Sequence, residues 1–198
     1  ARNVLRSGDS AQNKGGGICI ADFVSACTIS ESQIVGNRID TTGGTDGTRG
    51  GGIAAGARIV VDRCEITGNA AGSGGGLSLS VHPNDPPSEI RDSLIAENLA
   101  RVDGGGLAFA DSGSLRLEHV RVQGNRAQRD GGGIHCYVGG DIILSATTVS
   151  DNEAGGSGGG AYSIYGGIQA DRASFLDNRA QGDGGGVCWW GMPPRISY

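Results

Sequence analysis

Hydrophobic and polar residues alternate over short segments of this chain, and the same alternation returns every 24–35 residues, after each of seven Gly-Gly-Gly triplets. Alternation with a period of two residues is typical of β-strands that bury one face. Regular repetition of such a unit indicates a stacked repeat architecture. Two inward-facing columns are predicted after the triplets: Ile18, Ile53, Leu77, Leu107, Ile134, Ala161 and Val187, and two residues later Ile20, Ala55, Leu79, Phe109, Cys136, Ser163 and Trp189.

Two further alternating segments lie between each triplet and the end of its repeat, as in Leu115/Leu117 and Val120/Val122. Three strands in so short a repeat leave room only for turns between them. Like columns must therefore stack on like columns, so the strands pair in parallel and the chain coils once per repeat. Parallel crossovers are almost always right-handed. The pattern predicts an all-β fold, a right-handed parallel β-helix of about seven coils with three short strands per coil, forming one domain over residues 1–198 with incomplete coils at both ends.

An asparagine closes the body of each repeat, five or six residues before the next triplet in all but the first repeat. Asparagine tolerates the left-handed backbone of a tight turn, and its amide can both donate and accept hydrogen bonds. We expect these side chains to form a continuous internal ladder, with the glycine triplets at the opposite corner of the coil, where backbones approach closely. The predicted ladder consists of Asn37, Asn69, Asn98, Asn125, Asn152 and Asn178.

The repeat resembles those of polymorphic outer-membrane proteins, within the pectin-lyase-like β-helix superfamily. The resemblance rests on the triplets followed by Ile, Leu, Val or Ala, on Phe175-Leu176-Asp177-Asn178, and on variants such as Ile66 to Asn69. It implies a β-helix of the kind found in surface adhesins, autotransporter passengers and secreted bacterial proteins. The same superfamily also supplies the scaffold of polysaccharide lyases and epimerases.

The charge and hydropathy of the chain argue against nucleic acid as a partner and against a transmembrane helix. The net charge of −5 is mild and spread along the chain, which gives no electrostatic case for nucleic acid. No apolar run approaches the ~20 residues that a transmembrane helix needs. The given sequence starts at Ala1 without a signal peptide, which fits a processed chain and a fragment equally, and we expect an extracellular or cell-surface location.

The outward positions of the first strand are small in the early repeats and aromatic in the last three. The candidate ligand-binding residues on this face are His135, Tyr137, Tyr162, Tyr165 and Trp190. Two interpretations stay open: a surface for stacking sugars or binding a partner, and packing beneath a loop, a cap or a neighbouring subunit. The second is the more common origin of such a cluster.

Carboxylates and cysteines add little chemistry. Asp103 and Asp130 precede successive triplets, and we expect solvated turn carboxylates there, so no cofactor is predicted, although calcium between stacked carboxylates is conceivable. Cys19 and Cys188 share a column but lie six coils apart, which is too far for a disulfide. No catalytic residue or metal ligand is identified.

The sequence favours a non-catalytic extracellular module with a structural or adhesive role, as part of a larger assembly or fibre. Its expected partners are other protein subunits, through the open ends or the flat Gly/Ala face, and glycans. The alternative is a carbohydrate-active enzyme of the lyase, hydrolase or epimerase type, or a fragment of one.

Overall fold

The fold is known from a computed structural model that describes residues 4–7, 14–21, 26–41, 47–137, 139–191 and 195–197. All of its regular elements within these residues are β-strands. In chain order they begin with β1 (Val4–Ser7), β2 (Ile18–Ile20), β3 (Cys27–Ser30), β4 (Gln33–Val35), β5 (Arg38–Thr41), β6 (Ile53–Ala55), β7 (Ile59–Asp62), β8 (Glu65–Thr67), β9 (Ala70–Ala71), β10 (Leu77–Ser80), β11 (Ser88–Arg91), β12 (Leu94–Ala96) and β13 (Leu99–Ala100). They continue with β14 (Leu107–Ala110), β15 (Ser114–Glu118), β16 (Arg121–Gln123), β17 (Arg126–Ala127), β18 (Ile134–Cys136), β19 (Asp141–Ser145), β20 (Thr148–Ser150), β21 (Glu153–Ala154), β22 (Ala161–Ile164), β23 (Gly167–Asp171), β24 (Ser174–Leu176), β25 (Arg179–Ala180), β26 (Val187–Trp190) and β27 (Arg195–Ser197).

Every fourth strand pairs in parallel with its equivalent in the next turn, which produces four sheets along a right-handed solenoid. The first sheet has the order β2-β6-β10-β14-β18-β22-β26, and the second β3-β7-β11-β15-β19-β23-β27. The third sheet is β4-β8-β12-β16-β20-β24, and the fourth β1-β5-β9-β13-β17-β21-β25. The register matches the predicted columns, since Leu77 pairs with Leu107 and Leu79 with Phe109. The predicted right-handed parallel β-helix is therefore confirmed.

Two details of the prediction are wrong. Each full turn contains four strands rather than three, because a further short strand follows the asparagine. From Asn69 onwards this strand has two residues, as in β9 and β13, whereas β5 after Asn37 has four. A two-residue strand is too short to show an alternating pattern in the sequence. The number of coils is also slightly lower than seven: about five full turns lie between Ile53 and Ala180, flanked by turns of which the structure describes part.

The interior is a continuous apolar column. Ile53, Leu77, Leu107 and Phe109 of the first sheet are at most 1% exposed. They belong to one apolar cluster with buried side chains of the second and third sheets. Full burial of one such side chain stabilises the fold by about 1.5–3 kcal/mol. The stacked columns thus hold every sheet in one register.

The asparagine ladder is present along the whole described interior. The Nδ2 of Asn69 donates to the Oδ1 of Asn98 at 3.0 Å, and the Nδ2 of Asn98 donates to the Oδ1 of Asn125 at 3.0 Å. The same bond joins Asn37 to Asn69, Asn125 to Asn152 and Asn152 to Asn178. The backbone N–H of each ladder asparagine from Asn37 to Asn152 also donates to the Oδ1 of the next asparagine in the ladder. From Asn69 onwards, each Nδ2 reaches a carbonyl oxygen of the preceding turn as well.

The turn around the ladder differs from the prediction in two ways. The left-handed residue is the one before the asparagine, such as Gly68 with φ of 63° or Glu97 with φ of 55°. The glycine triplets do not lie at an opposite corner, because the third glycine packs on the ladder. A Cβ on Gly106 would lie 2.7 Å from the carbonyl oxygen of Gly133 and 3.0 Å from the Nδ2 of Asn125. The two most regular features of the sequence are therefore parts of one contact.

Candidate functional site

The outer face of the first sheet stacks aromatic side chains on successive strands. His135 on β18 pairs in register with Tyr162 on β22. Their rings are stacked, with centroids 5.4 Å apart and planes inclined by 21°. Tyr137, which directly follows β18, also stacks on His135, with centroids 5.9 Å apart. Three of the five candidate residues therefore form one contiguous stack.

Packing beneath a covering segment, one of the two interpretations of this face, applies to two of its residues. His135 is 4% exposed and Tyr162 is 9% exposed. The turn before each strand folds back over these positions: the Cβ of His135 lies 2.8 Å from where a Cβ on Gly131 would be, and Gly158 approaches Tyr162 in the same way. The first glycine of each triplet has a positive φ, 66° for Gly131, which permits this reversal.

The other candidate residues stay exposed and define what we name the aromatic rim: Tyr137, Tyr165 and Trp190. They are 52%, 66% and 60% exposed. The backbone N–H of Tyr165 donates to the carbonyl oxygen of Trp190 at 2.7 Å, so these two residues are neighbours. Trp189, expected to face inward, is 42% exposed because β26 is the last strand of its sheet. The candidate set is therefore split into a buried stack and an exposed rim.

Residues that the sequence treated as solvated carboxylates form an ordered network instead. Asp103 is buried and accepts two hydrogen bonds from the guanidinium of Arg129, that from Nε at 2.9 Å. It also accepts from the backbone N–H of Asp130 at 3.2 Å, and Asp130 accepts from that of Ser157 at 2.7 Å. The position of Asp103 and Asp130 directly before successive glycine triplets was the sequence signal for this network. The burial of these side chains was not predictable from that position, because it results from the reversal of the turn.

A cavity of about 210 Å³ lies between this turn network and the first sheet. We name it the turn cavity. Its walls include Arg49, Ser78, Asp103, Arg129, His135 and Tyr137. Arg49 was not predicted as a site residue from the sequence, although it occupies the same position before a triplet as Asp103.

Burial lowers the pKa of His135 from its ordinary value. The nearby charges of Asp103 and Asp130 oppose this shift, and that of Arg129 supports it. The neutral imidazole is thus favoured in the folded protein, with one nitrogen as donor and the other as acceptor. Neither nitrogen makes a hydrogen bond within the described part of the chain.

The lowered pKa of His135 predicts a pH dependence of stability. An unfolded histidine takes up its proton near pH 6.5, while the folded one resists protonation, so the free energy of unfolding should fall as pH falls below about 6.5. His135→Phe keeps a ring against Tyr162 and should remove this part of the slope between pH 6.5 and 5. Urea unfolding at a series of pH values measures it. The exposed His82 gives the control His82→Gln, and equal slopes for all three proteins would contradict the assignment.

A larger, open groove of about 630 Å³ lies at the corner between the second and third sheets. Charged side chains pair at its surface, as in the 2.8 Å contact of Arg63 with Glu31, and the Nδ1 of His119 lies 3.6 Å from a carboxylate oxygen of Asp92. Exposed pairs of this kind contribute little to stability. The groove contains none of the candidate residues.

The residues that the structure describes contain no cluster of side chains suited to metal binding or thiol chemistry. They contain no group of three His, Cys, Asp or Glu side chains suited to a metal ion. All five cysteines are free thiols, and burial raises the pKa of Cys136 to about 11, which keeps that thiol protonated. Nor do the described residues include a helix able to cross a bilayer.

Comparison with protein families gives a match to a right-handed β-helix region over residues 1–154. The matched segment covers more than three quarters of the chain and includes the ladder as far as Asn152. Comparisons with curated proteins and with solved structures gave no significant match.

Proposed function

The chain belongs to the right-handed β-helix family, and from that premise we propose that it is a non-catalytic extracellular or cell-surface module whose aromatic rim adheres to glycans. The observation that carries the proposal is the exposure of three aromatic side chains at the same edge of the first sheet, with Tyr165 and Trp190 as direct neighbours and Tyr137 in the register position beyond Ile164. The resemblance to polymorphic outer-membrane repeats supports the surface location.

The rim is suited to adhesion because its side chains are held by rigid elements. Ile164 and Trp190 pair in register on β22 and β26, and Tyr165 follows directly in a left-handed turn with φ of 57°. Neighbouring strands lie about 4.8 Å apart, so the rim spans on the order of 10 Å. Large aromatic rings with few rotatable bonds lose little entropy when a ligand packs on them.

Trp190→Ala is expected to weaken glycan binding about tenfold, a change of about 1.4 kcal/mol, with little effect on folding because the ring is largely exposed. The assay is binding to a panel of immobilised neutral and acidic polysaccharides. Trp189 and Trp190 are the two tryptophans of the chain, so their fluorescence should also respond to a bound glycan.

Leu176→Ala is the matched control for this experiment, since Leu176 is 51% exposed on the third sheet, away from the rim. It should bind as the wild type does. Equal losses in both variants, or no binding to any polysaccharide, would contradict an adhesive rim.

The same panel separates adhesion from the carbohydrate-active alternative. Depolymerisation of any polysaccharide, measured with and without calcium, would favour an enzyme. Such activity should disappear in the double variant His135→Phe/Tyr162→Phe if it resides at the buried stack. Binding without product release supports the non-catalytic module.

A further inference from the structure

The turn cavity contains polar groups that the described protein leaves without partners. His135 and Ser78 are 4% and 8% exposed, and neither side chain makes a described hydrogen bond. Among the described residues, the only fully enclosed side-chain polar atom without a partner is the Nε of Arg91, so the polar atoms of His135 and Ser78 keep access to the cavity. His135 contributes a donor and an acceptor, and Ser78 contributes a hydroxyl that can do both. These groups point to an occupant with hydroxyl groups.

The charges of the cavity point to an anionic end on the same occupant. Arg129 is matched by its two hydrogen bonds to Asp103 and lies 3.8 Å from a carboxylate oxygen of Asp130. Arg49, in contrast, makes no ion pair or side-chain hydrogen bond within the described structure. A guanidinium binds a carboxylate through two parallel hydrogen bonds, which gives both strength and orientation.

The size of the cavity suits a small molecule. A cavity of roughly 150 Å³ can hold a benzene ring. The turn cavity, at about 210 Å³, has room for about six carbon atoms with hydroxyl substituents. Ala108, Ala110 and Val102 add an apolar wall to it.

We propose that the turn cavity binds a small hydroxylated carboxylate, with Arg49 on the carboxylate and His135 and Ser78 on the hydroxyl groups. Of the aromatic rim, only Tyr137 lines this site, and the proposal does not depend on the adhesive function proposed above.

A matched pair of probes tests the proposal by isothermal titration of the full chain. D-gluconate and sorbitol have the same six-carbon polyol skeleton, and a carboxylate in gluconate replaces a terminal hydroxymethyl group. Gluconate is expected to bind saturably, and sorbitol at least tenfold more weakly. Absence of gluconate binding, or equal affinity for the two probes, would overturn the proposal.

Variants locate the binding. Arg49→Gln should weaken gluconate binding about tenfold or more without changing the affinity for sorbitol, and Arg49→Lys should restore part of it. Arg116→Gln removes the same charge from the exposed face of the second sheet and should leave binding unchanged. Similar losses in Arg49→Gln and Arg116→Gln would show that net charge alone attracts the anion, and the site would be rejected.

His135→Phe provides the second test, because it keeps the stacked ring and removes both nitrogens. It should weaken gluconate and sorbitol alike. Trp190→Ala should bind gluconate normally, which separates failure of this site from failure of the adhesive rim. Unfolding midpoints of all variants, compared with the wild type, show whether a loss reflects misfolding, and a folded His135→Phe protein with unchanged affinity would contradict the assignment.

Discussion

Asn125→Ala is expected to lower the free energy of unfolding by about 3–5 kcal/mol, since it removes several buried hydrogen bonds and leaves their partners unpaired. Asn125 is fully buried at the centre of the ladder. Its Oδ1 accepts from the backbone N–H and the Nδ2 of Asn98, both at 3.0 Å. Its Nδ2 donates to the carbonyl oxygen of Ile95 and to the Oδ1 of Asn152. Alanine can replace none of these four bonds.

Asn37→Ala supplies the comparison at the first described position of the ladder. Its side chain makes one described hydrogen bond, to the Oδ1 of Asn69, and the backbone N–H that donates to the same oxygen stays in the variant. The expected loss is about 1 kcal/mol, the net value of one hydrogen bond. Urea unfolding followed by circular dichroism measures both variants. Equal losses would show that the ladder does not act as a continuous network.

The gap between the two variants also tests how stability is distributed. In a solenoid each turn contacts its immediate neighbours, so stability is a sum of terms between adjacent turns. Asn125 contributes to two such interfaces, towards Asn98 and Asn152, while Asn37 has a described asparagine partner on one side. A larger effect at the centre is what this arrangement requires.

The sequence predicted the parts of the fold that repeat in register. Strand direction and the inward columns follow from like residues recurring at like positions, as Leu77 and Leu107 do. The ladder was predictable for the same reason, since a buried amide such as Asn98 needs an equivalent above and below it. Periodic constraints of this kind are visible in one chain without knowledge of side-chain packing.

Features that depend on the path of the turns were not predictable from alternation. The two-residue strand Ala70–Ala71 carries a single inward residue, so it has no period to detect. His135 and Tyr162 alternate as outward residues, yet the reversal of the turn at Gly131 and Gly158 covers them. Whether a face is solvated depends on what folds over it, and a strand pattern reports only the two sides of its own sheet.

The same reversal explains why the candidate site has two layers. Turn residues such as Asp103 and Arg129 reach over the first sheet and enclose the turn cavity. Tyr137 lines that cavity and is also half exposed, so it belongs to both the cavity and the rim. Ligand binding in the cavity and adhesion at the rim would therefore meet at this one side chain.

Gly106→Ala is expected to cost about 3 kcal/mol or more, at the upper end of what overpacking of a rigid interior costs. The new Cβ would lie 2.7 Å from the carbonyl oxygen of Gly133 and 3.0 Å from the Nδ2 of Asn125. Neither atom can move without breaking a hydrogen bond between turns, because Gly133 accepts from Leu107 at 2.9 Å and Asn125 belongs to the ladder.

Gly186→Ala is the matched control, because Gly186 is also the third glycine of a triplet and neither glycine has a positive φ. A Cβ there would meet the Cβ of Phe175 at 3.7 Å, an ordinary contact. This variant should be neutral, or stabilising by up to about 1 kcal/mol through the lower entropy of the unfolded chain. A similar loss in both variants would contradict a steric origin.

The double variant Gly106→Ala/Asn125→Ala then shows whether the glycine triplets and the ladder are one structural unit. Alanine at position 125 removes the amide that the new methyl group would strike, so part of the cost of Gly106→Ala should disappear. The remainder comes from the carbonyl of Gly133, which is still present. The two losses should therefore sum to more than the loss in the double variant, by about 1 kcal/mol or more, as found for residues in direct contact. Strict additivity in urea unfolding would mean that the triplet and the asparagine stabilise the solenoid independently, against the contact seen between them.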